Sequence, residues 1–449
     1  MRQAWRGRRR SPRPRSYRPT LEALESRWTP AAGFKLTKLV SDIPGVAQIT
    51  DTNLQNAWGI ALGPRGAFWV ADNNTNVVTL YAGDVNGSPL VKVPLTVAMP
   101  NDGSPTGQVF NTTNDFLLSN GSKALFIFAD ESGQIDAWNP GLNPITHAEL
   151  KAAVPGADFT GLAIDTIDNL NFLLAVDNAS GNIDAFDSSF NQVQLPGNAF
   201  QDPLIPSDFH AYNIQNLGPV DNVDLVAISY ARSDIAPGFG TVGLFTSSGQ
   251  FIMNLPDGAF SAPWAVTIAP SNFGPFSNDL LVGNLESGQI AAYSLAVGQF
   301  GQFVDFLRDP SGNVIQIDDL WGLHFGNGTT AGDSNALYFA AGPNNYNDGL
   351  FGSLRFVSDA SPTGASPTHT AATAGDGMAM LAHALMSSGP ATTAMPPMVM
   401  PPTAPHGPAT PAAAVPASHP SMSIPDSGAH DPSPADLMAQ AIDQLFAAL

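Results

Sequence analysis

The 449-residue sequence has no cysteine. That excludes disulfides, thiolate metal sites, iron–sulfur clusters and cysteine nucleophiles, and leaves the compartment open. Nor does it contain an apolar run of the roughly 18 residues that a membrane-crossing helix needs. Charge is sparse at 12% of residues, and positive charge is scarcer still: 18 Lys and Arg stand against 38 Asp and Glu, a net charge of −20. Such a balance argues against a nucleic-acid partner. What the chain has in quantity is turn formers, 42 Gly and 39 Pro, alongside 43% hydrophobic residues. It is too apolar to be wholly disordered and too rich in turn formers to be mainly helical, so an all-β core is expected.

The few positive charges are concentrated at one end. Nine of the 13 arginines fall in the first 27 residues, whereas residues 28–449 carry nine basic against 36 acidic residues. Residues 1–33 therefore read as a basic disordered head, compositionally foreign to the rest of the chain, that serves as a sorting segment. An ordinary secretory signal would continue into an apolar stretch. Thr20–Pro30 (TLEALESRWTP) holds two glutamates and an arginine instead. At the other end the chain turns to Ala, Pro, Thr, Ser, Met and His. From residue 358 on there are 15 prolines in 92 residues and no Lys or Arg. Residues 358–432 read as a disordered linker. Residues 433–449 read as a short amphipathic helix: Ser433-Pro434-Ala435-Asp436 supplies the start, and Leu437, Ala441, Leu445 and Leu449 form a stripe. That helix offers a means of self-association. It lacks the basic face that an anionic membrane would require.

Between residues 34 and 357 three landmarks recur with a period near 50 residues. The first is a residue pair: Trp58-Gly59, Thr106-Gly107, Thr160-Gly161, Tyr212-Asn213, Trp264-Ala265 and Trp321-Gly322. The second is an apolar run ending in a polar turn: FWVADN (68–73), FIFADE (126–131), LLAVDN (173–178), VAISYA (226–231), LLVGNL (280–285) and LYFAAG (337–342). The third comes after a Gly or Asn turn: NVVTLY, GQIDAW, GNIDAF, GTVGLF, GQIAAY and GLFGSL. Short apolar runs between turn residues at this period are the signature of β-propeller blades. The expected fold is an all-β, six-bladed propeller. The sixth block ends at 354–357 without a fourth strand, so Lys35–Val40 (KLTKLV) is placed to complete it and close the ring.

The block AWGIALGPRGAFWVADNNTNVVTLY (57–81) resembles an NHL-type propeller repeat. Together with LVSDIPGVAQITDTNLQNAWGIA, NDLLVGNLESGQIAAY, DDLWGLHFGNG and LYFAAGPNNYNDGLFGSL, it resembles an uncharacterised bacterial propeller family, some of whose members carry exosortase-type sorting signals. RPTLEALESR (18–27) is similar to the Leu-Glu-x-Leu-Glu-x-Arg segment at the N-terminus of many planctomycete exported proteins. These resemblances imply a propeller exported to the envelope or beyond, and they imply no activity. The C-terminus departs from the sorted members in having no Pro-Glu-Pro box.

The candidate site residues are the turn carboxylates and amides Asp72, Asn73, Asp130, Asp177 and Asn284, which hold equivalent second-landmark positions. In a closed ring several could approach the axis, and oxygen ligands of this type suit calcium. Propellers of the lactonase class bind a divalent metal in this way, although the glutamate which that class draws from its first blade has no match here. An Asp or Asn after a strand also commonly bonds its own turn. Trp58, Tyr212, Trp264 and Trp321 could stack on a ligand at the channel mouth or pack between blades. His210 and His324 sit singly at blade starts, and DVNGS (84–88) lacks the later ligands of a calcium loop. No Gly-x-Ser-x-Gly, Walker or HExxH motif is present. Two functions fit: a non-catalytic scaffold that binds a protein or glycan through its loop faces, and a metal-dependent, lactonase-like hydrolase.

If the run at 34–41 closes the ring, its deletion should abolish the cooperative thermal transition seen by circular dichroism. An unchanged melting curve would show that the ring closes without it.

Overall fold

The computed structural model describes residues 32–358, except 196, 233–237 and 257. Most of the expected basic head, most of the Pro/Ala-rich linker and the helix expected at 433–449 lie outside the described residues, whereas Gly33, the last residue assigned to the head, begins a strand. Within the described residues the chain forms six sheets, antiparallel apart from the short parallel pairing of Ile49–Thr50 with Gly33–Ser41, arranged as a six-bladed β-propeller. The innermost strands are Ala57–Leu62, Pro105–Phe110, Phe159–Ile167, Phe209–Val220, Pro263–Ile268 and Leu320–Phe325. Each contacts the next in sequence, and the last contacts the first, so the ring is closed. Among the described residues no helix is long and apolar enough to cross a membrane.

The second landmark is the second strand of each blade, and burial explains its composition. Phe68–Asp72, Phe126–Asp130, Leu280–Asn284 and Ala336–Ala341 are buried at every residue. A strand covered on both faces by neighbouring blades reads as a continuous apolar run rather than an alternating one. The third landmark is the third strand, from Val77–Ala82 in blade one to Leu350–Val357 in blade six. Among the described residues six apolar cores lie between blades, one per seam. A seventh sits on the axis.

The first landmark marks where the innermost strands bulge. All six pair with their second strands through a register shift at or beside the landmark pair, as between Ala57 and Ile60 or Leu320 and Gly322. The bulge turns the backbone toward the neighbouring blade. A Cβ on Gly107 would lie 2.5 Å from the Leu162 nitrogen, and one on Gly322 would lie 2.5 Å from the Trp58 carbonyl oxygen. Side chains bridge the same joints. Thr106 Oγ1 donates to the Phe159 carbonyl at 2.5 Å, Thr160 Oγ1 to that of Tyr212 at 2.7 Å, and Asn213 Nδ2 to that of Trp264 at 3.0 Å.

Ring closure agrees with the sequence expectation. Gly33–Ser41 runs antiparallel to Leu350–Val357, with Gly33 opposite Val357 and Ser41 opposite Leu350. Phe34 anchors it, 1% exposed, against the rings of Phe273, Phe276 and Phe356. A polar clamp reinforces the seam between the sixth and first blades. Arg355 Nη2 binds Asp84 Oδ2 at 2.8 Å and Asp333 Oδ2 at 3.3 Å, and the Tyr338 hydroxyl donates to Asp84 Oδ2 at 2.7 Å. DVNGS is thus a turn that ties the ring shut.

The Gly322→Ala substitution should force two strand backbones apart and cost about 3 kcal/mol. Urea unfolding would measure it, and a change of less than about 0.5 kcal/mol would mean that the inner joint yields.

Candidate functional site

The innermost strands bring the landmark aromatics together at the end of the channel where those strands begin. Trp58 and Trp321 stack with centroids 3.7 Å apart and planes at 12°. Trp264 meets both edge-on, at 5.5 and 4.6 Å, Tyr212 lies 4.9 Å from Trp264, and Tyr346 lies 5.1 Å from Trp321. All but Tyr346 are buried. The rings pack on one another across the axis and plug this end, so their faces are already covered by aromatic partners. Above the plug, polar contacts run outward across blades: Trp321 Nε1 to Asn56 Oδ1 at 2.8 Å, Asn56 Nδ2 to Asn73 Oδ1 at 3.0 Å, and Asn73 Nδ2 to Glu131 Oε2 at 3.1 Å. Burial raises the Glu131 carboxyl above its usual range, and the charges of Asp158 and Asp130 add to the effect.

The five sequence candidates lie around this end, each in its own environment. Asp130 Oδ1 accepts from the backbone nitrogens of Ser132 and Gln134, both at 2.9 Å, and its Oδ2 accepts from Gln134 Nε2 at 2.9 Å. Asp177 Oδ1 accepts from the Asp158 and Ala179 nitrogens at 2.9 and 3.1 Å. Asn284 accepts from the Ser261 nitrogen at 2.8 Å and donates to the carbonyls of Ala259 and Gln289, both at 3.1 Å. Asn73 is the inter-blade link just described. Asp72 is wholly buried with neither carboxylate oxygen partnered among the described residues, and desolvation pushes its carboxyl well above the usual range. Among the described residues no three or more His, Asp or Glu side chains are grouped to hold a metal ion. Asp130, Asp177 and Asn284 are each engaged by their own turns and seams. His210 Nδ1 pairs with the Asn178 carbonyl at 3.1 Å.

Beyond the plug the channel narrows to a cavity of about 40 Å³ lined by Gly59, Gly107, Thr160 and Asn213. At the opposite end, where the innermost strands finish, it opens into a funnel of about 590 Å³. Its walls come from blades one to four and from His324 of blade six, and include Ile60, Leu62, Gln108, Phe110, Asp165 and Asn216. Asp165 is 3% exposed. Its Oδ1 accepts from the Thr166 nitrogen at 2.8 Å and from Asn216 Nδ2 at 3.1 Å, whereas its buried Oδ2 has no partner among the described residues. Burial raises its pKa to about 7, with a further contribution from Asp224. Gln108 donates to the carbonyls of Gly59 and Trp69 at 2.7 and 2.9 Å, and its own Oε1 is buried and unpaired among the described residues. His324 Nδ1 lies 2.6 Å from the Phe325 carbonyl, so it carries the proton there, and burial holds the ring's pKa below its usual value.

Neither Asp165 nor Gln108 stood out in the sequence. The signal available was a carboxylate inside the run FTGLAIDTI, which forms an innermost strand rather than a turn.

Fold and site together define a six-bladed propeller whose channel is sealed by aromatics at one end and opens into an acceptor-lined funnel at the other. No protein-family model matches the chain. It is 30% identical over 343 residues to the uncharacterized protein R648 of Acanthamoeba polyphaga mimivirus, a match covering 72% of this chain and 80% of that protein. The chain belongs to the same family as that protein. The uncharacterized protein L690 of the same virus is 28% identical over 345 residues, 72% of this chain and 86% of its own length. Among solved structures, a streptogramin B lyase covers 73% of this chain and 98% of its own at 11% identity, with a TM-score of 0.40. A nidogen/laminin complex covers 64% and 97% at 12% identity, with a TM-score of 0.38. The likeness to an exported bacterial family and to a planctomycete head segment rests on the sequence segments alone.

In the unfolded chain Asp165 ionises near 3.8, and in the folded chain near 7. Between those values the folded state holds the extra proton. The stability from this group is therefore full below about 3.8, falls as pH rises through the interval and is flat above about 7. Asp165→Asn should flatten that slope and leave the variant more stable than the parent at pH 8. Urea midpoints across pH 4–8 would test it, and parallel curves for the two proteins would count against it.

Proposed function

We propose that this protein is a non-catalytic binding propeller that takes the hydroxyl-bearing end of a glycan into the funnel at the open channel mouth. The observation that carries the reading is the polar lining of the funnel, where Thr113, Gln215, Asn216 and Asp224 stand beside Asp165 and Gln108. Carboxylate, amide and hydroxyl side chains around a cavity favour a ligand rich in O–H groups, each hydrogen bond made there contributing about 0.5–1.5 kcal/mol net. Apolar surface from Ile60, Leu62 and Phe110 suits the carbon faces of a sugar ring. The lactonase-like reading has less support, because Asp130, Asp177 and Asn284 are bonded to their own turns and seams. The arginine-rich head favours delivery of the propeller to the envelope or outside the cell, and fractionation that left it wholly cytoplasmic would remove that part of the reading.

The full chain, applied to a mixed glycan array, should retain at least one glycan class. The double substitution Asp165→Asn and Gln108→Leu should weaken that binding about tenfold or more. No retained glycan, or retention indifferent to the two substitutions, would overturn the proposal.

A further inference from the structure

A second cavity lies away from the axis, in the seam between the third and fourth blades. Its origin is local. The outermost strand of blade three is only Gln192–Val193, whereas that of blade one, Val91–Ala98, has eight residues. The short strand leaves the seam underfilled, and a cavity of about 540 Å³ remains beside the connection to blade four. Ile183, Val193, Leu195, Phe200 and Ile205 give it apolar walls, and among the described residues no Lys, Arg or His lines it.

Two polar groups on these walls are incompletely used. Asp202 is 8% exposed; its Oδ1 accepts from the Leu204 nitrogen at 2.7 Å, and its Oδ2 is buried without a partner among the described residues. Tyr230, 5% exposed, lies close enough for the charge of Asp202 to act on its phenol, which burial already holds above the usual range. A carboxylate with no counter-charge among the described residues of the cavity wall, which it shares with a phenol and apolar side chains, is complementary to a positively charged N–H donor carried on an apolar body. The volume falls within the range of small-molecule sites, about 300–1,000 Å³.

We propose that this seam is a binding site for an organic ammonium ion, a primary amine on a single ring or short hydrocarbon chain. The ammonium group bonds the Asp202 carboxylate and the Tyr230 oxygen, and the hydrocarbon lies against Phe200, Leu195 and Ile205. The site is independent of the funnel.

Titration calorimetry of the full chain at 150 mM salt, with 2-phenylethylammonium as probe, tests the proposal. That salt screens diffuse attraction to an acidic surface beyond about 8 Å. The expected result is saturable binding that 2-phenylethanol, the neutral analogue, reproduces at least tenfold more weakly. Asp202→Asn should lower the affinity of the ammonium about tenfold or more and Tyr230→Phe several-fold, whereas Asp165→Asn in the funnel should leave it unchanged. Leu195→Trp, which fills the cavity and keeps both polar groups, should abolish binding and covers the case in which Asp202→Asn does not fold. Absence of binding, equal affinity for the alcohol, or full affinity in Asp202→Asn or in Leu195→Trp would overturn the proposal. A loss in Asp165→Asn would do the same by moving the probe to the funnel.

Discussion

Everything in this ring depends on how closely six innermost strands can approach one another around the axis. At Gly107 and Gly322 the neighbouring backbone occupies the space of a Cβ, so the strands meet main chain to main chain. A joint this tight leaves no room for an open bore. The channel shrinks to about 40 Å³ at its waist, and the larger residues of the same landmark are displaced to one end, where the three tryptophans and Tyr212 close over the axis. One constraint therefore makes the two ends unlike each other: a sealed aromatic end, and a funnel where the strands splay apart past their bulges.

The parts of this arrangement that were legible in the sequence are those repeated in every blade under the same pressure. The second strands are covered on both faces, so they share a continuous apolar pattern, and the bulged innermost strands share a small or aromatic landmark because each must pass its neighbour at contact distance. The outermost strands face solvent on one side and carry exposed residues such as Val91, Leu150 and Phe303, so nothing forces a common pattern on them, and Glu149–Ala153 and Gln192–Val193 left no recurrent signal. The clasp at Gly33–Ser41 could be placed only because the sixth block lacked a fourth strand.

The repeat was a poorer guide to the site. Residues that recur from blade to blade are bound to be those that solve a problem common to all blades, and at Asp130, Asp177 and Asn284 that problem is holding a turn against the adjoining segment. Asp165 and Gln108 break the repeat. They lie on innermost strands where other blades place different residues, and their unpaired oxygens become visible only once the ring is closed. Asp202 is likewise peculiar to one seam, the one beside the two-residue outermost strand. In this propeller repetition maintains the frame, although it too leaves polar groups without partners among the described residues at Trp58 and Asp72, and departures from it place Asp165 and Gln108 on the funnel wall.

The pairing of Gly33 with Val357 also fixes a geography. Both residues lie at the end of the sixth blade where its innermost strand finishes, on the side of His324 and the funnel. The chain therefore enters and leaves the propeller on the face that carries the open mouth, at the outer strands of the sixth blade, and not on the sealed face. Any group attached at these points is held on the funnel's side of the ring. A surface linked there would face the open mouth, whereas the aromatic end would point away from it.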